Sequence, residues 1–72
     1  MSVQEYKKFF CNNVNVQRKK QNLTLEELSQ RSGVPLEMLE ALERGEIPEE
    51  MMVADAFGLA RAFGREVYEL FQ

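Results

Sequence analysis

Residues 23–35 constrain the fold of this chain more than any other stretch of its sequence. Residues 24–27 have the pattern of a capping box, in which the Thr24 hydroxyl accepts from the backbone N–H of Glu27 and the Glu27 carboxylate accepts from the N–H of Thr24. Gly33 can adopt a left-handed backbone and end this helix, and Pro35 suits the first position of the next one. The pattern therefore predicts two short helices joined by a tight turn.

Apolar residues on both sides of this turn predict how the two helices pack. Leu23 before the cap and Leu28 after it are placed for a hydrophobic staple. A small core that holds the helices at a wide angle is predicted from Leu28, Val34, Leu39 and Leu42. Two helices joined by a three-residue turn that contains glycine form a helix-turn-helix, and we expect Ser29 to be small because the helices approach there. We place this unit at about residues 24–44, with the second of its helices ending at Gly45.

Helical periodicity extends over most of the remaining chain, and no segment alternates as a strand would. A first helix is predicted from about Glu5 to Gln21, with Asn22 as its C-cap. Its buried face is predicted to be Tyr6, Phe9, Phe10 and Val14. A fourth helix is predicted over about 53–63, with an apolar face of Val53, Ala56, Phe57, Ala60 and Phe63. A short fifth helix over 65–71 completes a single all-α domain that spans residues 1–72.

Length and composition set narrow limits on how such a domain is stabilised. A chain of 72 residues buries only about 60% of the surface that its unfolded form exposes. It has one cysteine, Cys11, and no histidine, so an internal disulfide and the usual zinc sites are excluded. Stability is therefore expected from efficient packing or from dimerisation. We predict no metal, no cofactor and no enzymatic activity, because no cleft or nucleophile accompanies the carboxylates.

The chain carries no apolar run near the ~20 residues of a membrane span. Its first eight residues have charges but no apolar segment behind them, so no secretory signal is recognisable. We therefore expect a soluble, cytoplasmic protein without a membrane partner.

The net charge of −3 hides an asymmetry between the two halves of the chain. Residues 1–33 have six basic and three acidic groups, a net charge of +3, whereas residues 34–72 have three basic and nine acidic groups, a net charge of −6. An acidic chain is a poor general partner for nucleic acid, so DNA binding would depend on a local basic face. Candidate phosphate contacts are Lys19, Lys20 and Arg31, although the two lysines also suit the negative end of their own helix.

Several segments together resemble the Cro and lambda-repressor type of helix-turn-helix, the XRE family. They are Arg18, LTLEEL at 23–28, SGV at 32–34 and LEALERG at 39–45. The segments LARAFG at 59–64 and YELF at 68–71 are similar to the end of the same domain. The resemblance covers about residues 14–72 and implies a five-helix lambda-repressor-like domain that binds operator DNA as a dimer.

The resemblance also implies roles for individual residues. The third helix would enter the major groove and read bases with Leu36, Glu37, Met38, Glu40 and Ala41. Thr24 and Leu25, at the start of the second helix, would approach the phosphate backbone, as would Arg44. Arg18 and Glu43 occupy positions that the family often joins in an ion pair. The dimer contact is expected to include the C-terminal helix, with Val67, Tyr68, Leu70 and Phe71.

Two functions remain open at this point. The first is a sequence-specific, DNA-binding transcriptional regulator, in which Glu37 and Glu40 accept from cytosine N4 and Leu36 and Ala41 touch thymine methyl groups. The second is a protein-interaction module, such as an antagonist of another regulator, that uses the acidic third helix as its partner surface. The second alternative arises because that helix has no basic or amide side chain facing outward, and because Glu46, Glu49 and Glu50 follow it.

Overall fold

The computed structural model describes residues 3–72, with side chains from Glu5 onward, so the first two residues of the predicted domain lie outside the described part. The described chain forms α1 (Val3–Lys20), α2 (Leu25–Ser32), α3 (Leu36–Glu43), α4 (Val53–Phe63) and a C-terminal 3-10 helix (Val67–Phe71). Residues 3–72 contain no strand. An all-helical chain is therefore confirmed, but the expected fifth α-helix is a 3-10 helix.

The start and end of α2 match the sequence prediction. The Thr24 hydroxyl accepts from the N–H of Glu27 at 3.1 Å, and the Glu27 carboxylate accepts from the N–H of Thr24 at 2.9 Å. Gly33 has φ +77° and its N–H donates to the carbonyl of Ser29 at 2.9 Å. The capping box and the glycine C-cap are thus confirmed, and both depend on residues within or next to the helix.

The start of α3 differs from the prediction, whereas its end agrees with it. Pro35 is the N-cap rather than the first helical residue, because its ψ of 143° is extended. The helix runs from Leu36 to Glu43, and Gly45, with φ +83°, follows the C-cap in the left-handed conformation that ends a helix. The shift reflects the chain direction at the turn, which residue type alone does not determine.

The core lies where all the helices meet. The four residues predicted to join α2 and α3, Leu28, Val34, Leu39 and Leu42, are all buried. They pack with Phe10 and Val14 of α1, with Leu59 and Phe63 of α4, and with Leu70. The predicted core of the two-helix unit is therefore confirmed, and it is continuous with the core of the whole domain.

Two small residues lie on or against α2. The Ser29 hydroxyl donates to the carbonyl of Val34 at 2.6 Å, so this serine bridges the turn. The sequence did not indicate a close approach between α2 and α4, where a Cβ added to Gly58 would collide with the carbonyl oxygen of Ser32. A residue without a side chain is needed at position 58 because the obstacle is backbone and cannot move aside.

Two predicted core aromatics are exposed. Tyr6 is 46% exposed near the start of α1, where its ring meets that of Phe71 edge-on, with ring centroids 6.4 Å apart. Phe57 is 52% exposed because α4 turns Leu59 and Ala60 toward the core instead. Val53, on the same predicted face as Phe57, is also exposed. The apolar stripe of α4 is thus wider than the surface that its neighbours cover.

The C-terminal segment is fastened to α1. The Asn13 side-chain amide donates to the carbonyls of Leu70 and Gln72, both at 2.9 Å. Phe10 stacks on Phe71 with ring centroids 5.0 Å apart.

None of the described helices is long and apolar enough to cross a membrane.

Candidate nucleic-acid interface

The outward face of α3 is formed by three of the five residues predicted to read bases. Leu36, Glu37 and Glu40 are exposed. Met38 is half-buried and packs against the core. Ala41 is only 7% exposed, so its expected outward position is wrong. It lies beside the loop that follows α3, and the N–H of Glu46 donates to its carbonyl at 2.9 Å.

Contacts from α1 hold the C-terminal half of α3. The Asn15 amide lies 3.5 Å from the carbonyl of Leu42, at the limit of a hydrogen bond. Arg18 and Glu43 are in contact, with Nη2 and Oε1 3.5 Å apart. Arg18 also donates from Nη1 to the carbonyl of Leu23 at 2.9 Å. One arginine thereby ties α1 both to α3 and to the segment before α2.

The two partners of this ion pair differ in exposure. The Arg18 side chain is 14% exposed, whereas the Glu43 side chain is 43% exposed. The Nε atom of Arg18 is buried without a hydrogen-bond partner among the described residues. Arg18 is therefore held mainly by its packing and by its bond to the Leu23 carbonyl, and the carboxylate contributes from a partly solvated position.

The charge on and beside α3 is negative. Glu37 and Glu40 make no ion pair among the described residues. Arg44, a predicted phosphate contact, lies 3.5 Å from the carboxylate of Glu46 on the exposed surface. Arg44 consequently shares its charge with a neighbour and could reach phosphate only by leaving that partner.

An open groove of about 480 Å³ separates α3 from the loop that follows it. Its lining includes the carboxylate residues Glu37, Glu46 and Glu50 and the cation Arg44. The sequence prediction did not include Glu46 or Glu50 among the site residues. Their clustering beside Glu37 depends on how the loop folds back, although the acidic composition of the loop was visible in the sequence.

The remaining predicted contacts lie at helix ends. Lys19 and Lys20 are exposed in the last turn of α1, and Arg31 is exposed in the last turn of α2. Thr24 is exposed and Leu25 is half-buried. The three cations are available to solvent and form the basic part of this surface.

The N-terminus of α2 is already occupied by a carboxylate. Helix N-termini attract phosphate because their N–H groups and dipole favour negative charge. Here the backbone N–H of Thr24, together with its hydroxyl, holds the pKa of the Glu27 carboxyl below its ordinary value of 4.5. Glu27 therefore stays ionised, and a phosphate that approaches Thr24 meets a negative charge already in place.

Two other chemical features of the domain are structural. Burial raises the pKa of the Cys11 thiol, so this side chain behaves as a small apolar core residue. Among the residues that the structure describes, no group of three or more acidic or cysteine side chains could hold a metal ion.

Comparison with known proteins identifies the class of the chain. The helix-turn-helix domain family matches residues 15–65, which run from the second half of α1 through α4 to Arg65. The chain belongs to this helix-turn-helix domain family. No curated protein and no solved structure matched the chain. Membership in the family indicates a DNA-binding regulator.

Proposed function

We propose that this protein is a sequence-specific transcriptional regulator of the Cro and repressor type, which places α3 in the major groove of operator DNA. The observation that carries the proposal is the geometry of α3. One side of this helix is fixed to α1 and α2, and the other side presents Leu36, Glu37 and Glu40 to solvent. A recognition helix needs this combination of a rigid support and a free face.

The exposed face of α3 determines which DNA bases the helix can contact. The Glu37 and Glu40 carboxylates can only accept hydrogen bonds, and the donor that suits them in the major groove is the N4 amino group of cytosine. Leu36 offers an apolar contact for the methyl group of thymine. We therefore expect pyrimidines on the strand that faces α3. Ala41 has too little exposed surface to contribute, and half-buried Met38 is at most a secondary contact.

Phosphate contacts would come from Lys19, Lys20 and Arg31, with Arg44 recruited if it leaves Glu46. Each neutralised phosphate contributes about −0.9 to the slope of log affinity against log salt concentration. Three or four contacts predict a slope of about −3 to −4 for each subunit. This moderate slope follows from the small number of exposed cations near α3.

We also propose that the protein acts as a homodimer on a two-fold operator. In the C-terminal segment Leu70 is buried and Phe71 stacks on Phe10, so Tyr68 is the exposed aromatic residue that remains for a dimer contact. Half-sites of such operators lie about 34 Å apart, one turn of the DNA helix. Loss of dimerisation on Tyr68→Ala, measured by sedimentation with operator DNA, would support this contact, and a strict monomer with DNA present would contradict the two-fold operator.

A selection experiment tests the main proposal. Random-sequence DNA is selected with the wild type and then titrated at low and moderate salt with wild type, Glu37→Gln and Glu49→Gln. Both variants remove one negative charge, but exposed Glu49 lies in the loop outside the groove beside α3. Glu37→Gln should strengthen non-specific binding and relax discrimination at one base pair by about 1–3 kcal/mol. Glu49→Gln should leave the base preference unchanged.

The second candidate function is a protein-interaction module that uses the acidic surface of α3. The groove lined by Glu37, Glu46 and Glu50 favours it, because a concentration of carboxylates repels DNA and attracts a basic protein surface. The titration above separates the two functions. If neither the wild type nor Glu37→Gln retains DNA at low salt, the regulator proposal is wrong and the interaction module takes its place.

A further inference from the structure

A second groove, of about 330 Å³, lies between the start of α4, the loop before it, α1 and the C-terminal 3-10 helix. Its lining consists of apolar residues alone. Phe10 and Phe71 stack at this groove, while Met51, Met52 and Phe57 line it from the loop and α4. We call this feature the α4 groove. None of the predicted DNA contacts lines it.

The residues around the α4 groove are exposed to an unusual degree for apolar side chains. Met52 is 69% exposed and Val53 is 74% exposed, and Phe57, one helical turn after Val53, is 52% exposed. Contiguous exposed apolar surface on a small domain marks an interaction site more often than chance. Methionines are also common where a surface must adapt to a partner, because their side chains are flexible and polarisable.

The size of the exposed surface limits what can occupy it. With about 150–250 Å² for a large apolar residue and exposed fractions of 69%, 74% and 52%, the three side chains present roughly 300–500 Å² to solvent. A stable protein complex buries about 800 Å² on each partner, so this surface is about half of what a dimer interface needs. A single amphipathic helix is a smaller occupant than a folded subunit, because it enters a groove with one apolar stripe.

The charge around the α4 groove limits the occupant further. Residues 47–72, which supply every lining residue except Phe10, contain five carboxylates, Glu49, Glu50, Asp55, Glu66 and Glu69, and only two cations, Arg61 and Arg65. One of these carboxylates, Asp55, accepts from the N–H of the lining residue Met52 at 2.8 Å. Arg65 already lies 3.4 Å from the carboxylate of Glu69. An apolar groove within an acidic segment is complementary to an apolar stripe flanked by lysine or arginine.

We propose that the α4 groove binds a basic amphipathic helix of a partner polypeptide. The apolar stripe of that helix contacts Met52, Val53 and Phe57, and its cations face the surrounding carboxylates. A second copy of this chain is a poor occupant, because a two-fold contact through this groove would bring two acidic segments together. DNA is also a poor occupant, because both surfaces are negative. The proposal is independent of DNA binding by α3.

Synthetic peptides test the occupant directly. Three fluorescent peptides of equal length are used: one with a leucine stripe and lysines elsewhere, one with glutamates in place of the lysines, and one with the lysine composition in scrambled order. Fluorescence anisotropy should show saturable binding of the lysine peptide with a dissociation constant of about 10–100 µM, as expected of a small interface. Binding of the glutamate and scrambled peptides should be at least about tenfold weaker.

Matched variants locate the binding site. Phe57→Ala should weaken binding of the lysine peptide about tenfold, and Val53→Ala about threefold, because each removes apolar contact area. Val16→Ala makes the same chemical change at an exposed position of α1 outside the groove and should have no effect. Circular dichroism and thermal melts establish that the three variants stay folded.

Three results would overturn the proposal. They are the absence of saturable binding by the lysine peptide, equal binding of the lysine and glutamate peptides, and equal binding by wild type and Phe57→Ala when both are folded. Sedimentation adds a fourth. If the wild type is a dimer and Phe57→Ala is a monomer, a second copy occupies the groove and the proposed occupant is wrong. Operator binding by these variants is measured separately, so failure here leaves the test of α3 unaffected.

Discussion

The two short helices α2 and α3 have the same length but are held in place by different means. The N-terminal end of α2 is capped by the Thr24–Glu27 capping box, and its C-terminal end is capped by Gly33. In α3 the N-cap, Pro35, makes no side-chain hydrogen bond, and the last turn contains no basic residue. Instead α3 depends on Asn15 and Arg18, which reach it from α1.

This difference shows which residues determine the position of each helix. α2 carries the information for its own ends, so it forms wherever the core allows it. α3 has such a signal at its C-terminal end, where the N–H groups of Gly45 (φ +83°) and Glu46 donate to the carbonyls of Leu42 and Ala41. Its start has no side-chain cap, and its position depends on contacts from α1. The surface proposed to read DNA is therefore positioned by a helix that does not itself touch bases. We expect α3 to be more sensitive to changes in α1, and α2 to changes within its own four-residue cap.

The largest expected effect comes from Arg18→Ala, which removes the side chain that joins α1 both to α3 and to the segment before α2. It should lower the free energy of unfolding by about 3 kcal/mol, because a charge-assisted hydrogen bond to Leu23 contributes about 1.5–3 kcal/mol and the packed side-chain stem is lost as well. Glu43→Ala should cost at most about 1 kcal/mol, because this partner is partly solvated. Urea unfolding measures both. Equal and small losses would show that Arg18 does not hold α3.

A smaller effect is expected from Thr24→Ala, which removes the cap of α2. Loss of an N-cap hydroxyl should lower the free energy of unfolding by about 1 kcal/mol. Thr24→Ser keeps the hydroxyl and serves as the control. In Thr24→Ala, native-state hydrogen exchange should accelerate more at the amides of α2 than at those of α3. In Glu43→Ala, exchange should accelerate more at the amides of α3. The same order in both variants would remove the contrast between the two helices.

The smallest effect concerns pH and Glu27. Because folding lowers the pKa of this carboxyl below 4.5, its charge stabilises the folded state fully above pH 4.5. That contribution is lost as the pH falls through the lowered pKa of the folded state. Glu27→Gln keeps the capping hydrogen bonds but not the charge. The stability difference between wild type and Glu27→Gln should therefore shrink in acid, and a difference independent of pH would contradict this assignment.

Sequence analysis likewise predicted the features that depend on neighbouring residues and missed those that depend on tertiary contacts. The capping box, Gly33 and the buried Leu28 were predictable, because each depends on residues a few positions apart. The exposure of Tyr6 and Phe57 was not predictable, because helical periodicity gives the direction of an apolar stripe but not how much of it the neighbouring helices cover. The 3-10 form of residues 67–71 depends likewise on their packing against α1.

The candidate site was predicted less completely than the fold. Leu36, Glu37 and Glu40 are exposed as expected of outward residues, but Ala41 is buried beside the loop that follows α3. The partnership of Arg44 with Glu46 and the clustering of Glu46 and Glu50 beside Glu37 depend on the path of a loop. Residue types in a loop can be read from the sequence, but the direction in which they point cannot.

The bond from Asn13 to the carbonyls of Leu70 and Gln72 joins residues 57 and 59 positions apart. On the ribosome, α1 emerges first but cannot gain this partner, or the stacking of Phe10 on Phe71, until residues 70–72 have left the exit tunnel. Closing so long a loop costs conformational entropy, and only the contacts of the completed core offset this cost. During synthesis the half-formed domain therefore exposes Phe10 and its apolar neighbours, and chaperones have their opportunity to bind in that interval.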